Sequence, residues 1–332
     1  MNATSFATPA PLQSIWQAAR VSRLHRRSSR VIVVELAPAS DVPLVGFTAG
    51  AHVDLVLPGA RTRSYSLMNP PQHASCYQLG ILRVAEGRGG SHYLHTHLRE
   101  GDPLPVSLPR NAFALHEQAE HSVLIAGGIG ITPLLCMARH LVARQRPVHL
   151  YYCVRSRHDA VFLQDLNTLG NALTCLFDDE RGGSPDLLPL LAAHPPDTHF
   201  YCCGPGPMLD AFGLACRRLG ITRAHVERFT ASSRPPGSPP AKGYKGYDVV
   251  LARSRRRLHH DGEGSLLDFL LRSGVTIPNG CHQGVCGSCA TRVVSGDVDH
   301  RDGMLSDHER QHASLMLPCV SGCRGTQLEL DI

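Results

Sequence analysis

Long apolar runs are missing from this chain of 332 residues. No stretch stays apolar for the ~18 residues that a membrane-spanning helix requires. The first residues, MNATSFATPAPLQSIW, also lack the basic segment followed by an apolar segment that marks a secretory signal. These two absences argue against a membrane or secreted protein, and we expect a cytoplasmic one.

A strong excess of one charge is missing as well. Lysine and arginine together number 33 against 28 acidic residues, and the arginines are dispersed except for a run at 253–257. Nucleic-acid-binding domains usually show a larger and more clustered basic bias. We therefore interpret the run as a solvated strand edge and expect neither a nucleic-acid partner nor a membrane partner.

Cysteine, in contrast, is plentiful, with 12 residues. Disulfide frameworks belong mainly to small secreted domains, and this chain is long enough for two or three domains with cores of their own. A disulfide scaffold is therefore excluded, and the cysteines must be explained in another way.

The patterning divides the chain into three predicted domains. After an N-terminal tail at 1–14, residues 15–116 alternate short apolar strands with turn signals, which predicts an antiparallel β-barrel. Residues 117–230 repeat a strand, a glycine turn and a helix, which predicts an α/β domain with a parallel sheet.

The third predicted domain follows a linker. Residues 231–243, ASSRPPGSPPAKG, are rich in proline and glycine and have no large apolar side chain. Residues 244–332 then combine strands, one helix and a cysteine-rich loop. The fold class is therefore multidomain, with a barrel, a parallel-sheet α/β domain and a β-grasp-like α+β domain.

The cysteine-rich loop, NGCHQGVCGSCA at 279–290, carries the most specific motif. Its spacing C-x4-C-x2-C, completed by a later cysteine, is that of plant-type [2Fe–2S] proteins. The predicted metal ligands are Cys281, Cys286, Cys289 and Cys319. Glycines in the loop allow its backbone N–H groups to point at the sulfurs.

Two alternatives to this assignment remain at the level of sequence. Zinc sites usually pair their cysteines as C-x2-4-C with a distant second pair, so the spacing favours a cluster over zinc. Cys323, four residues after Cys319, is an alternative fourth ligand. The apolar run that ends at Cys319 favours that residue as the anchor.

Two glycine turns of the middle domain predict a nucleotide site. The strand VLIA runs into GGIGITP, where Gly128, Gly130 and Thr132 precede a helix whose N-terminus can accept a pyrophosphate. The second turn, YCCGPGP, contains Cys203 and Gly204. Both turns should lie at the carboxyl edge of the parallel sheet, where such sheets bind ligands.

The barrel contains two further candidate cofactor-binding segments. In RSYS, Arg63 can fix a phosphate, Tyr65 can lie against a planar ring and Ser66 can donate to a ring nitrogen. The turn GRGGS, at residues 87–91, opens a helix and suits a phosphate. Together they predict a nucleotide cofactor in the barrel.

These motifs in this order resemble a known family. RTRSYSL, GRGGS, VSLPRNAF, LIAGGIGITP, YCCGP and the terminal cysteine set are similar to those of phthalate dioxygenase reductase and the vanillate O-demethylase reductase group. The resemblance runs from about residue 15 to the end. It implies an FMN barrel, an NADH domain and a plant-type ferredoxin domain that delivers electrons to a separate Rieske-type oxygenase.

The resemblance also implies roles for residues. Hydride transfer would be positioned by Ser66, Thr132, Cys203 and Phe229, with Phe229 on the exposed flavin face. The cofactor-binding residues would be Arg63, Ser64, Tyr65, Ser66, Gly89, Gly90, Ser91, Gly128, Gly130, Thr132, Cys203 and Gly204. No side chain need act as an acid, base or nucleophile, because the cofactors supply the chemistry.

The sequence contains conflicting indications for the choice between NADH and NADPH. Arg155 and Arg157 follow one strand and suit the 2′-phosphate of NADPH, whereas Asp178 and Asp179 follow the next strand and suit a free 2′-hydroxyl. The resemblance and the carboxylates together favour NADH, and Asp178 and Asp179 join the predicted cofactor-binding residues. FAD remains an alternative to FMN, because FAD relatives share the R-x-Y-S motif.

Two other classes of function remain open on the residues alone. One is an electron-transfer protein whose nucleotide domains only regulate it, and the other is a diaphorase or flavin-dependent oxidase with a small-molecule acceptor. A cluster-bearing domain is useful mainly when another protein docks, which favours an oxygenase partner. We expect a monomer, and the substrate would bind to the partner and not to this chain.

Overall fold

The computed structural model describes residues 16–58, 61–73, 75–85, 89–229, 246–305, 310 and 314–332. The predicted tail at 1–14, the linker at 231–243 and residues 87 and 88 of the phosphate turn lie outside the described residues. The chain separates into two compact units, with the division between Glu227 and Arg228. In the described part of the chain, no helix is both long and apolar enough to cross a membrane.

The first half of the N-terminal unit is built from antiparallel strands. Its elements are β1 (Trp16–Gln17), β2 (Ala19–Arg26), β3 (Val31–Pro38), β4 (His52–Leu57), β5 (Arg61–Ser66), β6 (Tyr77–Leu82), α1 (Gly90–His97) and β7 (Val106–Ser107). They form two sheets, in the orders β1-β7-β4-β5 and β2-β3-β6. Isolated bridges such as Leu67↔Leu79 connect the sheets, as the predicted barrel requires.

Apolar residues fill the space between these two sheets. One face of β4 places Val53 and Leu55 in the core, where they meet Leu36 of β3 and Leu79 of β6. Because side chains alternate along a strand, the opposite face of β4 carries His52 and Asp54, which are also buried. The sheet therefore has one apolar face and one buried polar face.

The second half of the N-terminal unit is a parallel α/β fold. Its elements are β8 (Ser122–Gly127), α2 (Ile131–Ala143), β9 (Val148–Val154), α3 (Leu163–Leu166), β10 (Leu173–Phe177), α4 (Asp178–Arg181), α5 (Leu187–Ala192), β11 (His199–Cys203), α6 (Gly206–Leu219) and β12 (Ala224–Glu227). The strand order is β10-β9-β8-β11-β12, with every neighbouring pair parallel. The order reverses between β8 and β11, where such sheets bind ligands.

Burial explains the composition of these strands. Every residue of β8 is buried, which is typical of a parallel strand covered by helices on both faces. The core on one face of the sheet continues into the barrel, because Val33 and Met68 pack in the same cluster as Leu134 and Tyr152. The barrel and the α/β fold thus share a continuous core within one compact unit.

The C-terminal unit is a small mixed sheet with one helix. Its elements are β13 (Tyr247–Leu251), β14 (Arg256–His260), α7 (Leu266–Arg272), β15 (Thr291–Ser295), β16 (Val298–Asp299), β17 (Leu315–Met316), β18 (Gly322–Cys323) and β19 (Gln327–Leu330). The main sheet has the order β14-β13-β19-β15-β17, with β13 and β19 parallel. This arrangement agrees with the predicted β-grasp-like fold.

Local signals fix the helix of this unit. Ser265 caps α7 by accepting a hydrogen bond from the Asp268 N–H at 3.0 Å, which satisfies one of the free donors of the first turn. Leu266, Leu267 and Leu270 form its buried side. The helix therefore packs on the sheet beside the segment that leads to the cysteine loop.

Candidate functional site

The four predicted cysteine ligands lie together in the C-terminal unit. All four are buried, and their side chains interact as two pairs, Cys281 with Cys286 and Cys289 with Cys319. Cys319 comes from the segment after β17 and meets the loop from a distant part of the sequence. A [2Fe–2S] cluster holds each iron by two thiolates, and two pairs of thiols match that requirement.

Hydrogen bonds in the loop reach the cysteine sulfurs. The Cys281 N–H donates to the Cys286 sulfur at 3.4 Å, and the Gln283 N–H donates to the Cys281 sulfur at 3.3 Å. The side-chain hydrogen bond between Cys281 and Cys286 lowers the pKa of Cys286 to about 5 and raises the pKa of Cys281. The bond between Cys289 and Cys319 likewise lowers the pKa of Cys289 and raises the pKa of Cys319. Each pair therefore holds one sulfur that favours the thiolate, which is the form of cysteine that binds metal ions.

Glycine is required at two positions of the loop. Gly284 and Gly287 both have φ of 70°, in the left-handed region that other residues rarely adopt. A Cβ atom at Gly284 would also lie 2.5 Å from the Val320 side chain. The loop can therefore fold around a small inorganic core only with glycine at these positions.

Cys323 has a different partner. Its sulfur donates a hydrogen bond to the Gln327 carbonyl of β19 at 3.4 Å. Cys319 interacts with Cys289 of the loop, and its assignment as the fourth ligand stays a prediction.

The barrel brings the two predicted phosphate-binding segments together. A Cβ atom at Gly90, the first residue of α1, would lie 2.7 Å from Nε of Arg63, so that the arginine side chain lies against the helix start. The preceding Gly89 has φ of 80°, and no side chain caps the helix. Free N–H groups and a guanidinium therefore converge, which is the chemistry that binds a phosphate.

Two serines near this cradle have partners in the protein. The Ser91 hydroxyl accepts a hydrogen bond from the Val84 N–H at 3.1 Å. The Ser64 hydroxyl donates to Asp54 at 2.5 Å, and Asp54 also accepts from Arg110 at 2.5 Å. Ser64 and Asp54 are direct neighbours across the β4–β5 pair, so this hydrogen bond links the two strands on the buried polar face.

The end of β5 meets the ends of β11 and β12. The Ser66 hydroxyl donates to the carboxylate of Glu227 at 3.4 Å, and the Cys203 sulfur lies 3.9 Å from the same oxygen. Cys203 and Glu227 are direct neighbours across the parallel β11–β12 pair. Two of the residues predicted to position hydride transfer, Ser66 and Cys203, are thus joined through a carboxylate that was not predicted.

Burial controls the protonation of this group. It raises the pKa of Glu227 to about 8, although the hydrogen bonds from Ser66 and Cys203 act in the opposite direction. Burial and the nearby carboxylate also raise the pKa of Cys203, so its thiol stays protonated. Only the parallel pairing of β11 and β12 places Glu227 here, since the segment AHVE contains no recognisable motif.

The two glycine turns of the α/β fold pack backbone against backbone. A Cβ atom at Gly130 would lie 2.2 Å from the carbonyl oxygen of Cys203, and one at Gly127 would lie 3.1 Å from Cα of Gly204. Gly128 has φ of 53°. Glycine at these positions is therefore needed to bring the two turns together at the point where the strand order reverses.

Thr132 and Phe229 occupy different surroundings. Thr132 is buried, its hydroxyl donates to the Ile129 carbonyl at 3.1 Å, and its methyl group lies against Gly80 of β6. It therefore joins the nucleotide turn to the barrel. Phe229 is 38% exposed and belongs to the C-terminal unit.

The predicted carboxylates lie at the carboxyl end of β10. Asp178 accepts a hydrogen bond from the Ser184 hydroxyl at 3.3 Å, and the Asp179 N–H donates to the Arg155 carbonyl at 3.0 Å. Arg157 forms an ion pair with Glu180. The structure thus brings the cationic and the anionic segments, which gave conflicting signals in the sequence, to one edge of the sheet.

Comparison with known proteins gives two family models that match parts of the chain. The oxidoreductase NAD-binding domain matches residues 124–177, which contain both the GGIGITP turn and the strand before Asp178. The 2Fe-2S iron-sulfur cluster binding domain matches residues 249–324, which contain the four cysteines.

Whole-chain relatives extend this agreement. The chain is 44% identical over 327 residues to the phenoxybenzoate dioxygenase subunit beta of Ectopseudomonas oleovorans, which covers 98% of this chain and 99% of the relative. The solved structure of phthalate dioxygenase reductase, described as a modular structure for electron transfer from pyridine nucleotides to [2Fe–2S], is 32% identical. It superposes with a TM-score of 0.72 over 97% of this chain and 99% of that one.

A third similar protein is larger. An intact type IV self-sufficient cytochrome P450 monooxygenase is 33% identical, with a TM-score of 0.86 over 100% of this chain. The chain spans only 43% of the length of that protein.

Proposed function

The chain belongs to the family of phthalate dioxygenase reductase and vanillate O-demethylase reductase, and we propose that it is the reductase component of a two-component Rieske-type oxygenase or demethylase. It is an NADH-dependent flavin iron–sulfur oxidoreductase, with FMN and a [2Fe–2S] cluster as its cofactors. When bound, these groups convert the two-electron hydride of NADH into single electrons for the oxygenase.

The observation that carries the proposal is the meeting of Ser66, Cys203 and Glu227. β5 carries the RTRSYS segment, and its last residue lies at the carboxyl ends of β11 and β12. A ring bound along β5 and a nicotinamide bound at the glycine turns would therefore face each other at this point. The protein contributes orientation there and excludes water from the transfer.

Residues of the barrel would hold the FMN. Arg63, Gly89, Gly90 and Ser91 form the proposed phosphate cradle, supported by the contact between the Arg63 side chain and the start of α1. Tyr65 would pack on the ring. Burial of Tyr65 raises the pKa of its hydroxyl, which keeps the side chain neutral and suited to an apolar contact.

Residues of the α/β fold would hold the NADH. Gly128, Gly130 and Gly204 would approach the pyrophosphate and nicotinamide, Thr132 would fix the turn to the barrel, and Asp178 and Asp179 would bind the adenosine ribose. Phe229 would cover the exposed flavin face. The roles of the glycines and of the two aspartates are supported by the close backbone contact of the two turns and by the position of the carboxylates, and the role of Phe229 is supported by the family resemblance alone.

The remaining parts of the proposal concern the protein as a whole. The domain limits are 15–116 for the FMN barrel, 117–230 for the NADH domain and 244–332 for the ferredoxin domain. The oxygenase would dock at the ferredoxin domain, since the cluster is the last carrier in the chain. We further propose a monomeric, cytoplasmic protein, with the cluster thiols supporting a reducing compartment.

The visible spectrum of the purified protein, before and after anaerobic addition of NADH, tests this function. We expect flavin and iron–sulfur absorbance that bleach together, because electrons would pass from one group to the other. Bleaching without any iron–sulfur band would support a diaphorase instead. Absorbance from the cluster that NADH does not bleach would contradict the reductase function.

A further inference from the structure

The carboxyl ends of β9 and β10 carry opposite charges side by side. β9 ends next to Arg155 and Arg157, and β10 ends next to Asp178, Asp179 and Glu180. Val154 and Phe177 are direct neighbours in the parallel pair. The two segments therefore begin next to each other, at one edge of the sheet. The inference below rests on the proposed NADH site.

This edge lies at a suitable distance from the proposed hydride site. β10 is three strand spacings from β11, which is about 14 Å at ~4.8 Å per spacing. A dinucleotide that extends along the carboxyl edge from Cys203 would place its adenosine ribose near the end of β10. The 2′ position of that ribose would then face the charged segments.

Glu180 holds the side chain of Arg157 in a two-pronged contact. Nε of Arg157 lies 2.5 Å from Oε1 of Glu180, and Nη2 lies 3.1 Å from Oε2. The guanidinium also lies over the ring of Phe177, 4.5 Å from its centroid. The fork geometry uses both carboxylate oxygens, as would a phosphate in the same place.

We infer that Glu180 is a specificity-determining residue that excludes pyridine nucleotides with a 2′-phosphate. It does so in two ways. Its carboxylate occupies the Arg157 guanidinium, the group whose geometry suits a phosphate, and its negative charge repels a dianion at the same position. A free 2′-hydroxyl has no charge to repel, and it can still donate to Asp178 or Asp179.

The ion pair between Arg157 and Glu180 should contribute little to the stability of the fold. The Arg157 side chain is 71% exposed and the Glu180 side chain is 47% exposed. Exposed pairs of this kind contribute little to the free energy of folding, because water and salt screen them. Substitution of either residue should therefore leave the fold intact, so that effects on nucleotide choice can be measured directly.

The test is a double-mutant cycle with Glu180→Gln, Arg157→Ala and the combined variant. The readout is kcat/KM for flavin reduction with NADPH and with NADH. The glutamine keeps the size of the side chain and removes its charge. We expect Glu180→Gln to raise kcat/KM for NADPH about fivefold or more and to leave that for NADH within about twofold.

The other variants identify the mechanism. Arg157→Ala should not raise kcat/KM for NADPH, and the combined variant should lose most of the gain seen in Glu180→Gln, because Arg157 is the group released. A parallel inhibition assay against NADH should show tighter binding of 2′,5′-ADP in Glu180→Gln, with binding of ADP unchanged. This assay does not depend on the geometry of hydride transfer.

Two results would overturn the inference. One is an unchanged kcat/KM for NADPH in Glu180→Gln, and the other is an increase in that value that persists in full when Arg157 is also replaced. In either case the wild-type protein would still reduce its flavin with NADH. If the proposed function were wrong, NADH would not reduce the flavin of the wild-type protein. The two failures are therefore distinguishable.

Discussion

The two redox sites of this chain are built in opposite ways. In the cysteine loop, three of the four ligands lie within nine consecutive residues, and neighbouring backbone N–H groups donate to their sulfurs. At the proposed hydride site, Ser66 and Glu227 are 161 residues apart in sequence and meet only in the folded unit. One site depends on local spacing, and the other depends on the packing of a barrel against a sheet.

This difference should determine how each site fails. A local site loses its metal when one ligand is removed, while the fold around it and the other site persist. A site assembled from distant elements depends on the contacts that hold those elements in place. Substitutions at the two sites should therefore differ in how far their effects spread.

Removal of a cluster ligand should have an all-or-none effect. In Cys281→Ser, Cys286→Ser, Cys289→Ser and Cys319→Ser we expect loss of the iron–sulfur electron paramagnetic resonance signal, because a serine hydroxyl is a poor replacement for a thiolate. NADH should still reduce the flavin. Cys323→Ser is the matched control and should keep the signal; a normal signal in Cys319→Ser with loss in Cys323→Ser would reverse the assignment.

The phosphate cradle should be the next most sensitive point. Arg63→Ala removes a charge-assisted contact worth about 1.5–3 kcal/mol, so that FMN affinity should fall by about one to two orders of magnitude. Fluorescence titration measures this. Arg23→Ala removes the same charge from an exposed position on β2 and should leave the affinity unchanged. Equal affinities in the two variants would reject the cradle.

Disruption of the contact between the two glycine turns should have a smaller effect than loss of Arg63. Its cause would be steric, because no charge or hydrogen bond is removed. In Gly130→Ala, the new Cβ would lie 2.2 Å from the Cys203 carbonyl, so the turns must separate. We expect KM for NADH to rise by about tenfold and stability to fall by about 1–3 kcal/mol. Gly206→Ala is the control, because nothing lies within 4 Å of its Cβ position. Similar behaviour of the two variants would argue against backbone contact as the cause.

Glu227 should make stability depend on pH. Its pKa is raised from 4.5 to about 8, so the folded state keeps a proton that the unfolded state releases. The associated stability is complete below pH 4.5 and is lost progressively as the pH rises from there to 8, by up to about 1.4 kcal/mol per pH unit. Urea unfolding at pH 7 and pH 8.5, an interval above the range in which the buried histidines titrate, should show a larger loss in the wild type than in Glu227→Gln. If the free energy of unfolding declined equally in both proteins, the pH dependence would arise from other groups.

The same contrast explains how far the sequence alone could predict the molecule. The buried strand β8, the glycine turns and the cysteine loop are local patterns, since each follows from a short run of residues with a fixed period or spacing. The pairing of Arg63 with the start of α1 was also within reach, because both segments separately suit a phosphate.

Contacts between residues distant in sequence could not be predicted, because they depend on how the strands pair. The role of Glu227 depends on the register of two parallel strands, which no residue of the segment AHVE encodes. Glu180 was visible beside Asp178 and Asp179, but its contact with Arg157 follows from the order of β9 and β10 in the sheet. The hydroxyl of Ser64 contacts Asp54 because the two residues are direct neighbours across the β4–β5 pair, a register that the motif alone does not show.

The smallest expected effect concerns the proposed adenosine ribose site at the carboxyl end of β10. This part of the nucleotide site lies far from the proposed hydride site. Asp178 is half-buried and accepts from Ser184, so it is held in place to receive a hydrogen bond from a 2′-hydroxyl. Asp178→Ala removes one neutral-donor hydrogen bond to a charged acceptor, and we expect kcat/KM for NADH to fall about threefold to tenfold. The preference for NADH over NADPH should narrow accordingly, as measured by kcat/KM with each nucleotide. Ser184→Ala frees the carboxylate without removing it and should have a smaller effect on the same ratio. If Asp178→Ala lowered kcat/KM equally for both nucleotides, the carboxylate would support the β10 turn and not the choice between them.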